Sequence, residues 1–218
     1  MEKTTRPEPV NRYSKQEERL NVWSHFAGFI LSVIGVVVLI LKGILTGSTL
    51  SVVSYAIYGL SMILLYLAST TYHHAVDAEK RKKLKVFDHA AIYVLIAGSY
   101  TPFSLLVLKG TWGWSVFGVV WGIAVMGITM KLFYTGRFKL LSTISYVLMG
   151  WVIVVAIKPL IANFTFEGLM LLLTGGIFYT TGALLYSIKR IPFNHAIFHF
   201  FVLFGSLAHF LAIYLYTS

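Results

Sequence analysis

Two histidines, His195 and His199, stand four residues apart at the head of a long apolar run. At helical pitch that spacing sets both imidazoles on one face, one turn apart. Neutral imidazoles are common metal ligands. An apolar helix does not carry ionisable groups cheaply, so such residues face a bundle interior and have a partner. A third histidine, His73, closes another apolar run, and Asp88 opens the next. Three imidazole nitrogens with one open position form the ligand set of a catalytic zinc site. Zinc lowers the pKa of its bound water to about 7, and a nearby carboxylate can take that water's proton. Asp88 is the candidate base. Ser69 lies four residues before His73, on the same helical face, and is a candidate to support the ligand from behind.

These residues meet only if helices bring them together. The chain is 57% hydrophobic and 12% charged, about half the charge of a soluble domain. Its apolar residues fall in blocks of about twenty, the length that spans a bilayer core of ~30 Å. Helices are predicted at 22–41, 51–73, 88–108, 113–132, 140–158, 168–187 and 194–216. The fold expected is all-α, a seven-transmembrane helix bundle. Residues 1–20 form a cytoplasmic N-terminal segment and residues 21–218 an integral membrane domain. The first twenty residues are polar and lack the apolar core of a cleavable signal peptide. Gly28, Gly35, Gly98, Gly127 and Gly182 interrupt the spans, where small residues let helices approach closely. The absence of cysteine excludes thiolate metal sites, a catalytic cysteine and disulfides.

The net charge of +10 raises nucleic acid as a partner, but its distribution argues otherwise. With seven spans, the N-terminal segment and alternate loops hold 15 of the 18 Lys and Arg. Only Lys42, Lys109 and Lys158 lie on the other side. The positive-inside rule then sets the N-terminus in the cytoplasm and the C-terminus outside, in a multi-pass protein of the bacterial plasma membrane. Membrane lipids are the expected partners. In this topology His73, Asp88, His195 and His199 share one depth near the cytoplasmic face.

Other polar residues have plainer readings. A histidine at a membrane interface is often only a hydrogen-bonding or snorkelling residue. His74 points about 100° away from His73 and cannot share its centre. His89 follows Asp88 in the same way and is expected at the cytoplasmic surface. His209 lies some 21 Å along the helix from His195, too far for the same ion, and is expected to make a packing contact. Glu18, Asn21 and His25 form a stripe on one face of the first helix. One reading is a polar helix start with acid near the dipole's positive end. The other is a supporting or gating cluster beneath the zinc site. Tyr55, Trp112, Trp114 and Tyr216 are expected in the aromatic belt.

The pattern resembles the hemolysin III branch of the progestin and adipoQ receptor family. The matching pieces are Glu18-x-x-Asn21-x-x-x-His25, Ser69-x-x-x-His73, and Phe87-Asp88-His89 leading into Ala97-Gly98-Ser99-Tyr100-Thr101-Pro102. Asn194-His195-x-x-x-His199 followed by His209 completes it. The resemblance spans essentially the whole chain. It implies seven helices, a cytoplasmic N-terminus, and zinc on three histidines near the cytoplasmic face. In the family a carboxylate contacts the zinc-bound water, a role that carries over onto Asp88. The long N-terminal domain of the animal receptors has no counterpart here, which sets this chain apart from hormone reception.

Three functions are weighed. The first is a zinc-dependent hydrolase of lipid amide bonds, similar to ceramidases, acting in membrane lipid homeostasis. The second is a non-enzymatic regulator of membrane state with a structural zinc. The third is a hemolysin-like cytolytic protein. The lack of a lysine for a Schiff base in 194–216 argues against a retinal protein.

Overall fold

A computed structural model describes residues 13–134 and 139–217. The described residues form helices α1 (Lys15–Leu45), α2 (Thr49–His74), α3 (Ala78–Pro102), α4 (Gly110–Tyr134), α5 (Lys139–Gly150), α6 (Ile157–Asn163), α7 (Phe166–Ser187) and α8 (Asn194–Tyr216). A π-helical segment, Phe103–Leu108, continues α3, and a 3₁₀ turn, Val152–Ala156, joins α5 to α6. Seven spans are long and apolar enough to cross a membrane. The protein is therefore an all-helical, multi-pass membrane protein. The cationic residues Lys3, Arg6, Arg12 and Arg137 lie outside the described residues.

Three boundaries differ from the periodicity, each for a local reason. α1 begins at Lys15, inside the segment expected to precede the membrane domain. Ser14 caps it, its Oγ accepting the Glu17 amide at 3.1 Å. The last expected turn of α3 widens into a π-helix immediately after Pro102, which has no N–H to continue the α pattern. The fifth span is broken where a continuous 140–158 helix is expected. Here Tyr100 inserts its hydroxyl into the backbone ladder. It donates to Gly150 O at 2.7 Å and accepts from the Ile153 amide at 2.9 Å. A side chain placed in the ladder in this way interrupts a helix.

α3 is the central post. Of its most apolar stretch, 83% is buried, against 11% for the fifth span. It packs against α2 on one side and α4 on the other. Two glycines permit this approach. A Cβ on Gly98 would overlap Ser61 of α2, and one on Gly127 of α4 would overlap the Tyr93 ring of α3. Large apolar side chains such as Leu31, Leu64, Met126 and Leu207 point outward, as a lipid-facing surface requires.

The end of α8 is held by α1. Lys42 Nζ donates to Tyr214 O at 2.7 Å, to Ile213 O at 3.3 Å and to Thr217 O. Ile213 O also accepts the Thr217 amide at 3.2 Å, so the cation chiefly serves the carbonyls of Tyr214 and Thr217 at the helix C-terminus. Tyr55 joins this cap. It is completely buried, and its hydroxyl donates to Thr217 O at 3.0 Å. It is therefore a core tyrosine, unlike the exposed Trp112 and Trp114.

Candidate metal centre

His73 stands at the end of α2, and His195 and His199 on the first turns of α8. All three are buried, and one nitrogen of each lies within 4.8 Å of the other two. His195 Nε2 is 3.0 Å from His73 Nε2 and 3.1 Å from His199 Nε2. Zinc–nitrogen bonds of ~2.05 Å in a tetrahedron put ligand atoms about 3.3 Å apart. The three nitrogens are thus spaced as ligands of one small cation.

The opposite ring atoms determine the tautomers. His73 Nδ1 donates to Glu18 Oε2 at 2.8 Å. His199 Nδ1 donates to the Asn21 carbonyl at 3.2 Å, with Ser24 Oγ 3.3 Å from the same nitrogen. A carbonyl accepts only, and an ionised carboxylate also accepts, so Nδ1 carries the proton in both rings. Their Nε2 atoms then present lone pairs to the centre. A single Nε2 proton on His195 would have to be shared between two acceptors, whereas a metal ion would take a lone pair from all three rings. Carboxylate and carbonyl partners behind ligating histidines are the usual means of fixing ring orientation and basicity. The donor set fits zinc, and its all-nitrogen chemistry does not suit calcium or magnesium.

Helix α1 reaches every ligand. Glu18 joins His73 to Arg81, whose guanidinium is buried and bonds the carboxylate. Arg81 also donates to the free carbonyls of His73 and Ala75 at 3.4 and 3.1 Å, and lies 4.8 Å from the centre of the Tyr72 ring. Glu17 Oε1 accepts the His195 amide at 3.3 Å. It supplies the cap that Phe193, with no side-chain oxygen and a left-handed φ of 55°, cannot give α8. Tyr13 stacks on His195, with ring centroids 4.7 Å apart and 21° between planes. His25 stacks on His199 at 3.5 Å. Both ring nitrogens of His25 are buried without a hydrogen-bond partner among the described residues.

A cavity of about 170 Å³ opens beside the histidines and runs through the bundle between α3, α5, α7 and α8. Asp88, Ser69, His195 and His199 line its metal end; Tyr179, Gly176 and His209 line its far end. Asp88 is buried, but its carboxylate is not among the clustered ligand atoms; Oδ2 lies 3.1 Å from His89 Nδ1. The Ser69 hydroxyl is buried and has no hydrogen-bond partner among the described residues. Ser69 lines the cavity, and its hydroxyl makes no hydrogen bond to His73.

The remaining histidines separate as follows. His74 is exposed, and His209 donates Nε2–H to Leu172 O at 3.1 Å, far from the cluster. His89 departs from its expected surface position. It is half-buried and lines the cavity, because α3 is enclosed by protein even 100° around from Asp88. Sequence reasoning missed Tyr13, Glu17, Ser24 and Arg81. The S-x-x-E run Ser14–Glu17 reads as a capping box and marks the helix start. Nothing in it reveals that Glu17 caps a different helix.

Comparison with known proteins agrees in extent. Residues 13–210 match the family described as Haemolysin-III related. The chain is 45% identical to Hemolysin-3 of Bacillus cereus over 202 residues, covering 93% of this chain and 92% of that protein. It is 46% identical to the Hemolysin-3 homolog of Bacillus subtilis over 204 residues, covering 94% and 96%. The human Monocyte to macrophage differentiation factor is 31% identical over 172 residues, covering 74% and 70%.

Proposed function

The chain belongs to the Haemolysin-III related family, and from that premise and the geometry of the cluster we propose that it is a zinc-dependent lipid amide hydrolase acting in membrane homeostasis. The observation that carries this reading is the position of the histidine cluster at the end of a lipid-depth cavity shared with Asp88 and Ser69. Zinc, when bound, would polarise a carbonyl and lower the pKa of water to about 7. The chain's own groups account for the rest. His73, His195 and His199 hold the ion, while Glu18 and the Asn21 carbonyl keep their partner rings in the ligating tautomer. Asp88 orients the attacking water and takes its proton, then returns a proton to the leaving amine. The free Ser69 hydroxyl donates to the oxygen of the scissile carbonyl as charge develops there. The apolar cavity wall receives the acyl chain and excludes bulk water.

A structural zinc in a membrane regulator is the competing reading. Structural sites normally have four protein ligands. Three cluster here among the described residues, which favours an open coordination position. Cytolysis is suggested by the relatives' name, but the site geometry favours chemistry. Asp88→Asn separates the readings. The hydrolase reading expects full zinc content with amide turnover reduced 10²–10⁴-fold. Equal turnover and full zinc in the variant would remove Asp88 from the mechanism.

A further inference from the structure

Among the described residues that line the cavity, buried polar atoms without a hydrogen-bond partner fall in two places. Both nitrogens of His25, Ser69 Oγ, His89 Nδ1 and His195 Nδ1 belong to residues around the histidine cluster. His209 Nδ1 stands apart from them. His209 is ten residues beyond His199 on the same helix, about 15 Å at 1.5 Å per residue. It also lines the same cavity.

The His209 ring is fixed. Its Nε2–H donates to Leu172 O at 3.1 Å, so Nδ1 is an unprotonated acceptor. The ring meets Tyr179 edge-on at 5.3 Å and Phe103 at 6.1 Å. Gly175 on α7 leaves the space for it, since a Cβ there would overlap the imidazole. The ring therefore cannot turn to find another partner. Neighbouring polar groups are already engaged. Tyr179 and Tyr66 both bond Ser206 Oγ, at 2.9 and 2.7 Å, and Thr180 bonds Gly176 O and the Trp151 indole. What is left at this depth, among the described residues that line the cavity, is the His209 Nδ1 acceptor in apolar surroundings. The one cavity is lined both by His199 and by His209, so it joins the two depths.

We propose that the His209 end of the cavity is a subsite for a hydroxyl carried on the lipid's acyl chain, held by donation to His209 Nδ1. This rests on the hydrolase reading for the metal end and names its substrate class: amides of long-chain acids hydroxylated near mid-chain. A plain chain would fill the cavity but leave the acceptor unpaired. A site built around a hydroxyl discriminates against an analogue lacking it.

The test uses the zinc-loaded protein in detergent with two probes, oleoyl ethanolamide and ricinoleoyl ethanolamide, which differ by one mid-chain hydroxyl. Binding is measured in the Asp88→Asn background, so that neither probe is consumed. The protein should bind the ricinoleoyl probe about tenfold more tightly, the scale of one buried hydrogen bond. Adding His209→Phe should make the two affinities equal, and His209→Gln, which keeps an acceptor, should restore part of the difference. Equal affinities in the protein that retains His209 would overturn the subsite, with a water then serving Nδ1. A preference that survives His209→Phe would also overturn it. Turnover by protein with Asp88 intact is read separately. Preferential binding without cleavage of either probe would refute hydrolysis and leave the subsite standing. Cleavage of both without preference would do the reverse.

Discussion

Glu18→Gln tests whether α1 sets the metal affinity. The carboxylate has two duties: Oε2 receives His73 Nδ1–H at 2.8 Å, and Oε1 receives the Arg81 guanidinium. Glutamine has nearly the same shape but one acceptor and one donor end. Whichever way its amide turns, an NH₂ group faces either the imidazole N–H or the guanidinium. His73 then loses its orienting partner, or Arg81 loses the ion pair that holds Glu18 against α2. Loss of such a supporting group typically costs 10–100-fold in metal affinity. That corresponds to about 1.4–2.8 kcal/mol, at 1.4 kcal/mol per decade. The assay is competition for zinc between the purified protein and a chelator of known affinity, with helicity monitored to confirm that the bundle is intact. Glu18→Asp serves as the partner variant, since it keeps the charge but shortens the reach. Zinc affinity in Glu18→Gln within a factor of two of the parent would refute the reasoning, because the hydrogen bond would then contribute nothing to ligation.

Each of His73→Ala, His195→Ala and His199→Ala should remove most of the bound zinc, whereas His74→Ala, at an exposed position, should keep a full equivalent by elemental analysis. Reporter fusions should place the loop around residue 76 in the cytoplasm and the end of α8 outside; a cytoplasmic reporter at residue 217 would refute the charge-based orientation. Lys42→Met leaves three carbonyls at the end of α8 without their cation and should lower the thermal midpoint, with zinc content little changed.

Much of the site was legible in the sequence because its ligands obey helical arithmetic. His195 and His199 differ by one turn on one helix, and the block lengths put His73 at the close of one span and Asp88 at the start of the next, on one side of the bundle. The seven spans were legible for the same reason: lipid exposure demands long apolar blocks. What escaped were interactions that join different helices without periodic signal. Glu17 is a solvent-facing residue by its local pattern, yet it caps α8, 178 positions away. Tyr100 looks like an ordinary polar tyrosine, yet it breaks the fifth span 50 positions on. His89 was assigned to the surface because helical angle alone does not tell which face of a helix its neighbours cover. The π-helical turn after Pro102 marks a position where the missing N–H alters the helix without ending it.

The clustered histidines come from the second and seventh spans, and the groups that bond them come from the first. Such a centre cannot exist while the chain is still being made. α1 and α2 can pair as soon as both enter the bilayer, but they offer only one imidazole until α8 arrives. On the proposed zinc reading, metal loading would be a late step in biogenesis, and it would tie the latest span to the earliest. A chain stalled before α8, or one whose seventh span fails to insert, would carry no complete centre. On that reading, zinc content would report whether assembly has finished.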